Sequence, residues 1–154
     1  METESYIARL SALLKDVERA GAELARDFPA KPDDPSERDR WSKRIADLGD
    51  ALVEKLPGHL TEALPLHEAL VGVYNSEQTS EAEGEITTYL LNYLRECVLP
   101  RVPARDSIEA IARVNWLQED IADGISPEVQ SRAFDLIRAD FHRLAGQRCV
   151  GRRT

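Results

Sequence analysis

Cysteine is scarce in this 154-residue chain: Cys97 and Cys149 are the only two. Two such residues make no disulfide framework and lack the paired spacing of a zinc site, so both are expected as free thiols. Histidine is nearly as rare. The residues three positions before His59, His67 and His142 are Leu56, Leu64 and Ala139, so the Glu-x-x-His pairs of a carboxylate-bridged di-metal bundle are missing. His59 and His67 stand eight residues apart, about 12 Å of helical rise, too far to share one ion unless the chain from Pro57 to Pro65 folds back. There is no Walker sequence, no Gly-x-Gly-x-x-Gly and no serine in a Gly-x-Ser-x-Gly elbow. These gaps predict no metal and no cofactor, and favour a non-enzymatic role.

Positive charge is also in short supply. Twenty Lys and Arg against 28 Asp and Glu leave a formal net charge of -8, which opposes general affinity for phosphate backbones, so no direct nucleic-acid partner is expected. The exception is a short basic C-terminal tail, residues 148–154, with Arg148, Arg152 and Arg153. Long uncharged apolar runs are missing as well, which predicts no membrane span. The start, Met1-Glu2-Thr3-Glu4, is acidic where a secretory signal is basic and then apolar, and points to a cytoplasmic protein. Hydrophobic content of 42% with 31% charged residues suits one globular domain, placed at residues 1–147.

What is abundant is helix punctuation. A short polar side chain at a helix start accepts a bond from a free backbone N–H, and a carboxylate three residues on answers it. Asp34-Pro35-Ser36-Glu37, Ser80-Glu81-Ala82-Glu83 and Asp106-Ser107-Ile108-Glu109 have this form, Ser126-Pro127 keeps the cap and proline, and Thr3-Glu4 offers a plain cap. Stops are expected at Phe28-Pro29, Leu56-Pro57-Gly58, Leu99-Pro100, Gly124 and Gly146.

Each start precedes an amphipathic stripe, so the chain reads as an all-α, single-domain bundle of about six helices, mostly antiparallel to their neighbours. The stripes are Ile7, Leu10, Leu14, Val17, Leu24 and Phe28; Trp41, Ile45, Leu48, Leu52 and Leu56; Leu60, Leu64, His67, Val71 and Tyr74; Ile86, Leu90, Tyr93 and Cys97; Ile111, Val114, Leu117 and Ile121; and Phe134, Ile137, Phe141 and Leu144. Gly21 occupies a seam position, which implies a close helix crossing or a bend. Pro65 lies inside the third stripe, so that helix restarts there or kinks. The fourth stripe is the broadest and marks a central element. The last two helices should form an antiparallel hairpin.

Three functional readings follow. The first is a protein–protein interaction or assembly module, self-associating as a homodimer through Leu10, Leu14 and Val17 or through Trp116, which stands off its stripe beside Asn115 and Gln118. The second is a helical sensor holding an apolar small molecule in an internal pocket near His67, Tyr89, Tyr93, Trp116 and Phe134. The third is an acidic protein that sequesters a basic nucleic-acid-binding partner with Glu77, Glu81, Glu83 and Glu85. Glu81 with Glu85, and Glu119 with Asp123, pair carboxylates on one face, but no histidine or third acid stands at a matching place, and a solvated surface explains them.

Overall fold

A computed structural model describes residues 2–121 and 126–152, with side-chain surroundings for 5–119 and 126–146. Among the described residues the chain is all α, without strands. The elements are α1 (Glu2–Asp27), α2 (Pro35–Val53), α3 (Leu60–Asn75), α4 (Glu81–Tyr93), a single π-helical turn (Leu94–Val98), α5 (Ser107–Ile121) and α6 (Pro127–Arg152).

The caps work as their chemistry requires. The Asp34 carboxylate accepts from the Glu37 N–H, the Ser80 hydroxyl from the Glu83 N–H, Asp106 from the Glu109 N–H at 2.8 Å, and Ser126 from the Val129 N–H. The Ser36 hydroxyl donates to Asp34 and, with the Glu37 amide, holds that carboxyl below its ordinary pKa. Thr3 is not a cap, since α1 already begins at Glu2. Nor does Gly146 end α6, which continues to Arg152 through the first residues of the basic tail. Gly124 lies outside the described residues. Pro65 neither restarts nor splits α3: one helix covers Leu60–Asn75, and the proline removes only the N–H that would reach back to Thr61.

The chain divides into two compact units, Met1–Leu56 with Leu66–Tyr93, and Pro57–Pro65 with Leu94–Thr154. In the first, α4 packs against both α1 and α2, as its broad apolar face predicts. Asp27 pairs with Arg44 and Asp16 with Lys55, so α1 and α2 run antiparallel. Two glycines permit close approach. A Cβ on Gly21 would stand 2.7 Å from the Glu83 Cα, and one on Gly49 would run into the Tyr89 ring. The close crossing, then, is what Gly21 serves. In the second unit α5 packs on α6, forming the expected hairpin.

Burial shifts several stripes by one residue. In α1 the buried line is Leu13, Val17, Ala20, Gly21 and Leu24, with Ile7 exposed; in α3 it is Leu60, Ala63, Leu66, His67 and Leu70, with Tyr74 exposed. In α5 it is Glu109, Ala110, Arg113, Trp116 and Leu117, and in α6 Val129, Ala133 and Asp140, leaving Ile111, Phe134 and Phe141 exposed. In α1 and α6 small residues set the line, whereas in α5 the bonds of Arg113 to Leu99, Val102 and Asp140 turn that side chain inward. Alanine and glycine let backbones approach, so the contact line centres on small residues and turns bulkier neighbours outward.

Candidate functional site

The most concentrated chemistry lies in the second unit, where two linked polar clusters hold the proline-bearing connection 99–106. Arg113 is fully buried, projecting from the inner face of α5. Its guanidinium donates to the Leu99 carbonyl at 3.2 Å, to the Val102 carbonyl and to the Asp140 carboxylate on α6. Asp140, also buried, accepts from the Ala104 N–H at 3.2 Å and from Arg143 at 3.1 Å, while Arg143 donates to the Ala104 carbonyl. The backbone carbonyls of Leu94 and Val98 take the N–H groups of Leu99, Arg101 and Val102, and ionised side chains satisfy groups of the connection that regular structure leaves over. Burial pushes the Arg113 guanidinium below its ordinary pKa, opposed by the charge of Asp140.

Glu109 forms the second cluster. One carboxylate oxygen accepts from the Arg105 N–H at 2.7 Å, and the other from the Thr61 N–H at 2.9 Å and the Thr61 hydroxyl at 2.6 Å. The Arg105 guanidinium caps both oxygens. Burial alone would raise this carboxyl; the bonds from Arg105 and Thr61 overcome it and hold it at about 2. Glu109 was expected to close a capping box on Asp106; its N–H does bond Asp106, but its carboxylate takes the N–H one residue earlier, at Arg105, and that of the distant Thr61. Apart from the Arg113 Nε, which is buried without a hydrogen-bond partner among the described residues, these groups are satisfied by one another and by backbone, which suits anchoring rather than proton transfer. Among the described residues no three His, Cys, Asp or Glu side chains gather to hold a metal.

Sequence reasoning missed Arg113 and Asp140 because a charge inside a stripe reads as an interruption. The available signal was the spacing of Glu109, Arg113 and Trp116, which follows the helical repeat as closely as the Ile111, Val114 and Leu117 track.

The residues singled out from sequence are dispersed. Trp116 is buried, not at an edge, and only Asn115 and Gln118 beside it are exposed. Val17 is buried and Leu10 and Leu14 half-buried, because α1 spends this stripe on α4 and α2. Of the pocket candidates, His67, Tyr89 and Tyr93 belong to the first unit, and Phe134, half-exposed, belongs to the second. Tyr89 lies on Gly49 and donates to Asp50. That bond, with burial, pushes its phenol up to about 12. The acidic row is also broken. Glu77 and Glu81 are exposed and Glu85 half-buried, but Glu83 meets Gly21, and burial with the nearby Glu18 charge raises its pKa.

Two hollows open in the first unit. The larger, about 790 Å³ and wide open, is bordered by Phe28, Pro29, Pro32, Arg40, Lys43 and Arg44 with acids interspersed. The smaller, about 130 Å³, lies at Trp41, Phe28 and Lys31 against Glu81 and Glu85. Cys97, in the π turn, is a free, half-buried thiol; the side chain of Cys149 lies outside the described residues. No helix among the described residues is long and apolar enough to cross a membrane. Compared with known families, curated proteins and solved structures, the chain has no significant match.

Proposed function

We propose that this chain is a non-enzymatic interaction module that self-associates through the outer face of its α5–α6 hairpin. One observation carries the reading: Ile108 is 77% exposed, Ile111 54%, Phe134 49% and Phe141 46%. Ile108 and Ile111 stand one helical turn apart on α5, and Phe134 and Phe141 two turns apart on α6. The inner faces of the same helices are already filled. Burying the half to three quarters of each side chain that is still exposed would contribute roughly 1–2 kcal/mol, which intramolecular packing leaves unused.

The occupant favoured is a second copy of this chain. Phe134 and Phe141 are equidistant from a centre at Ile137 and Arg138, so an antiparallel pairing of two α6 helices sets Phe134 of each copy against Phe141 of the other. A twofold contact requires that self-complementarity. Trp116, buried in α5, is not part of this contact. The reading takes the chain as an acidic cytoplasmic protein with no nucleic-acid or membrane partner.

Light scattering across a concentration series tests it. The wild type should pass from monomer to dimer, and the Phe134→Ser/Phe141→Ser variant should remain monomeric with unchanged helical circular dichroism. A wild type that stays monomeric at high concentration, or a dimer indifferent to both substitutions, overturns the proposal.

A further inference from the structure

The smaller hollow of the first unit combines three features that an ordinary surface depression lacks. Its wall is the indole of Trp41, which is otherwise buried. Over that ring, 5.2 Å from its centroid, stands the ammonium of Lys31 from the 28–34 connection. Facing them are Glu81 and Glu85, one helical turn apart on α4. Among the described residues Lys31 forms no ion pair with either carboxylate, so the acids remain unneutralised at hydrogen-bonding range while the ammonium rests on the ring alone. Two carboxylates and one ammonium leave the hollow one negative charge in excess.

We infer that this hollow is a binding site for a small alkylammonium ligand, with Lys31 as an internal stand-in that the ligand displaces or joins. The negative face of an indole attracts a cation, and weakly hydrated ammonium groups carrying alkyl substituents gain most from it because their carbon surface also prefers the apolar wall. Here that wall is Phe28 and the methyl groups of Ala25 and Ala82. A hard metal ion needs several converging oxygens, and two carboxylates against carbon surfaces do not supply them. The volume of about 130 Å³ admits a single head group rather than an extended molecule. Lys31 is exposed and its segment irregular, so it leaves the ring without disturbing a helix. This inference concerns the first unit and is independent of self-association through α5 and α6.

Tetramethylammonium chloride is the probe, titrated into the full chain at constant ionic strength, with sodium chloride and an uncharged tert-butyl alcohol as controls. The readout is the Trp41 indole N–H resonance, assigned by its loss in Trp41→Phe. Tetramethylammonium should shift it saturably, whereas neither control should. Lys31→Ala should tighten binding roughly two- to five-fold by removing the internal competitor, the size expected of an exposed cation–π contact. Glu85→Gln should weaken it, because one of the two uncompensated charges is gone. A resonance that fails to saturate in both wild type and Lys31→Ala, or that responds equally to the neutral alcohol, overturns the inference. So does unchanged affinity in both Lys31→Ala and Glu85→Gln.

Discussion

Replacing Glu109 by glutamine tests the anchoring of the second unit directly. Every protein group that meets this carboxylate is a hydrogen-bond donor, apart from the Thr61 hydroxyl, which can reverse. The amide nitrogen of glutamine therefore faces another donor on at least one side, and the pairing with Arg105 loses its charge. Displacing the carboxyl from its ordinary 4.5 to about 2 corresponds to about 3 kcal/mol at neutral pH, and screening at the half-exposed Arg105 reduces this to about 2 kcal/mol. Since the folded-state pKa is depressed, this stabilisation is complete above about pH 5 and is lost as pH falls toward about 2. In a 154-residue chain about 2 kcal/mol lowers the melting temperature by roughly 4–8 °C. Trp116 reports the second unit once Trp41→Phe has silenced the other indole, so urea unfolding in that background, repeated from neutral to acid pH, is the assay. The variant should be less stable at neutral pH and converge on its parent near pH 2. A neutral-pH difference below about 0.5 kcal/mol, or one that persists undiminished in acid, would refute the reasoning.

Three other substitutions probe separate interactions. Gly21→Ala should destabilise the first unit by about 1–3 kcal/mol in thermal unfolding, because its methyl meets the Glu83 backbone, whereas Gly84→Ala, with open space around it, should gain up to about 1 kcal/mol. Arg113→Met should cost about 2–4 kcal/mol, because the Leu99 and Val102 carbonyls lose their donor and Asp140 keeps only Arg143 and the Ala104 N–H, and Arg113→Met/Asp140→Leu should cost less than the sum of the two single changes; additivity in that double-mutant cycle would contradict the pairing. Asp50→Asn should move the Tyr89 phenol from about 12 back toward 10, read as earlier tyrosinate absorbance in an alkaline titration. With the wild-type phenol raised in the folded state, its contribution is complete below about pH 10 and lost as pH rises through about 12.

Helix identity was legible in the residues because its causes are local. Asp34, Ser80, Asp106 and Ser126 satisfy backbone donors within three positions of themselves, and that chemistry needs no distant partner. The central place of α4 was readable too, since a helix apolar on more than one side must meet more than one neighbour. By contrast, the rotation of α1, α3, α5 and α6 was settled by packing: whether Ile111 or Arg113 turns inward depends on what Leu99, Val102 and Asp140 present to it, and those arrive from other parts of the chain. Gly21 announced a close crossing or a bend, and only Glu83 on the opposing helix decided between them. The hollow beside Trp41 had no linear signature whatever, because Lys31, Trp41 and Glu85 come together through three separate segments. Short-range hydrogen bonding and periodicity thus fixed which stretches coil, while close packing around small residues and the pairing of buried charges chose which side of each coil faces in.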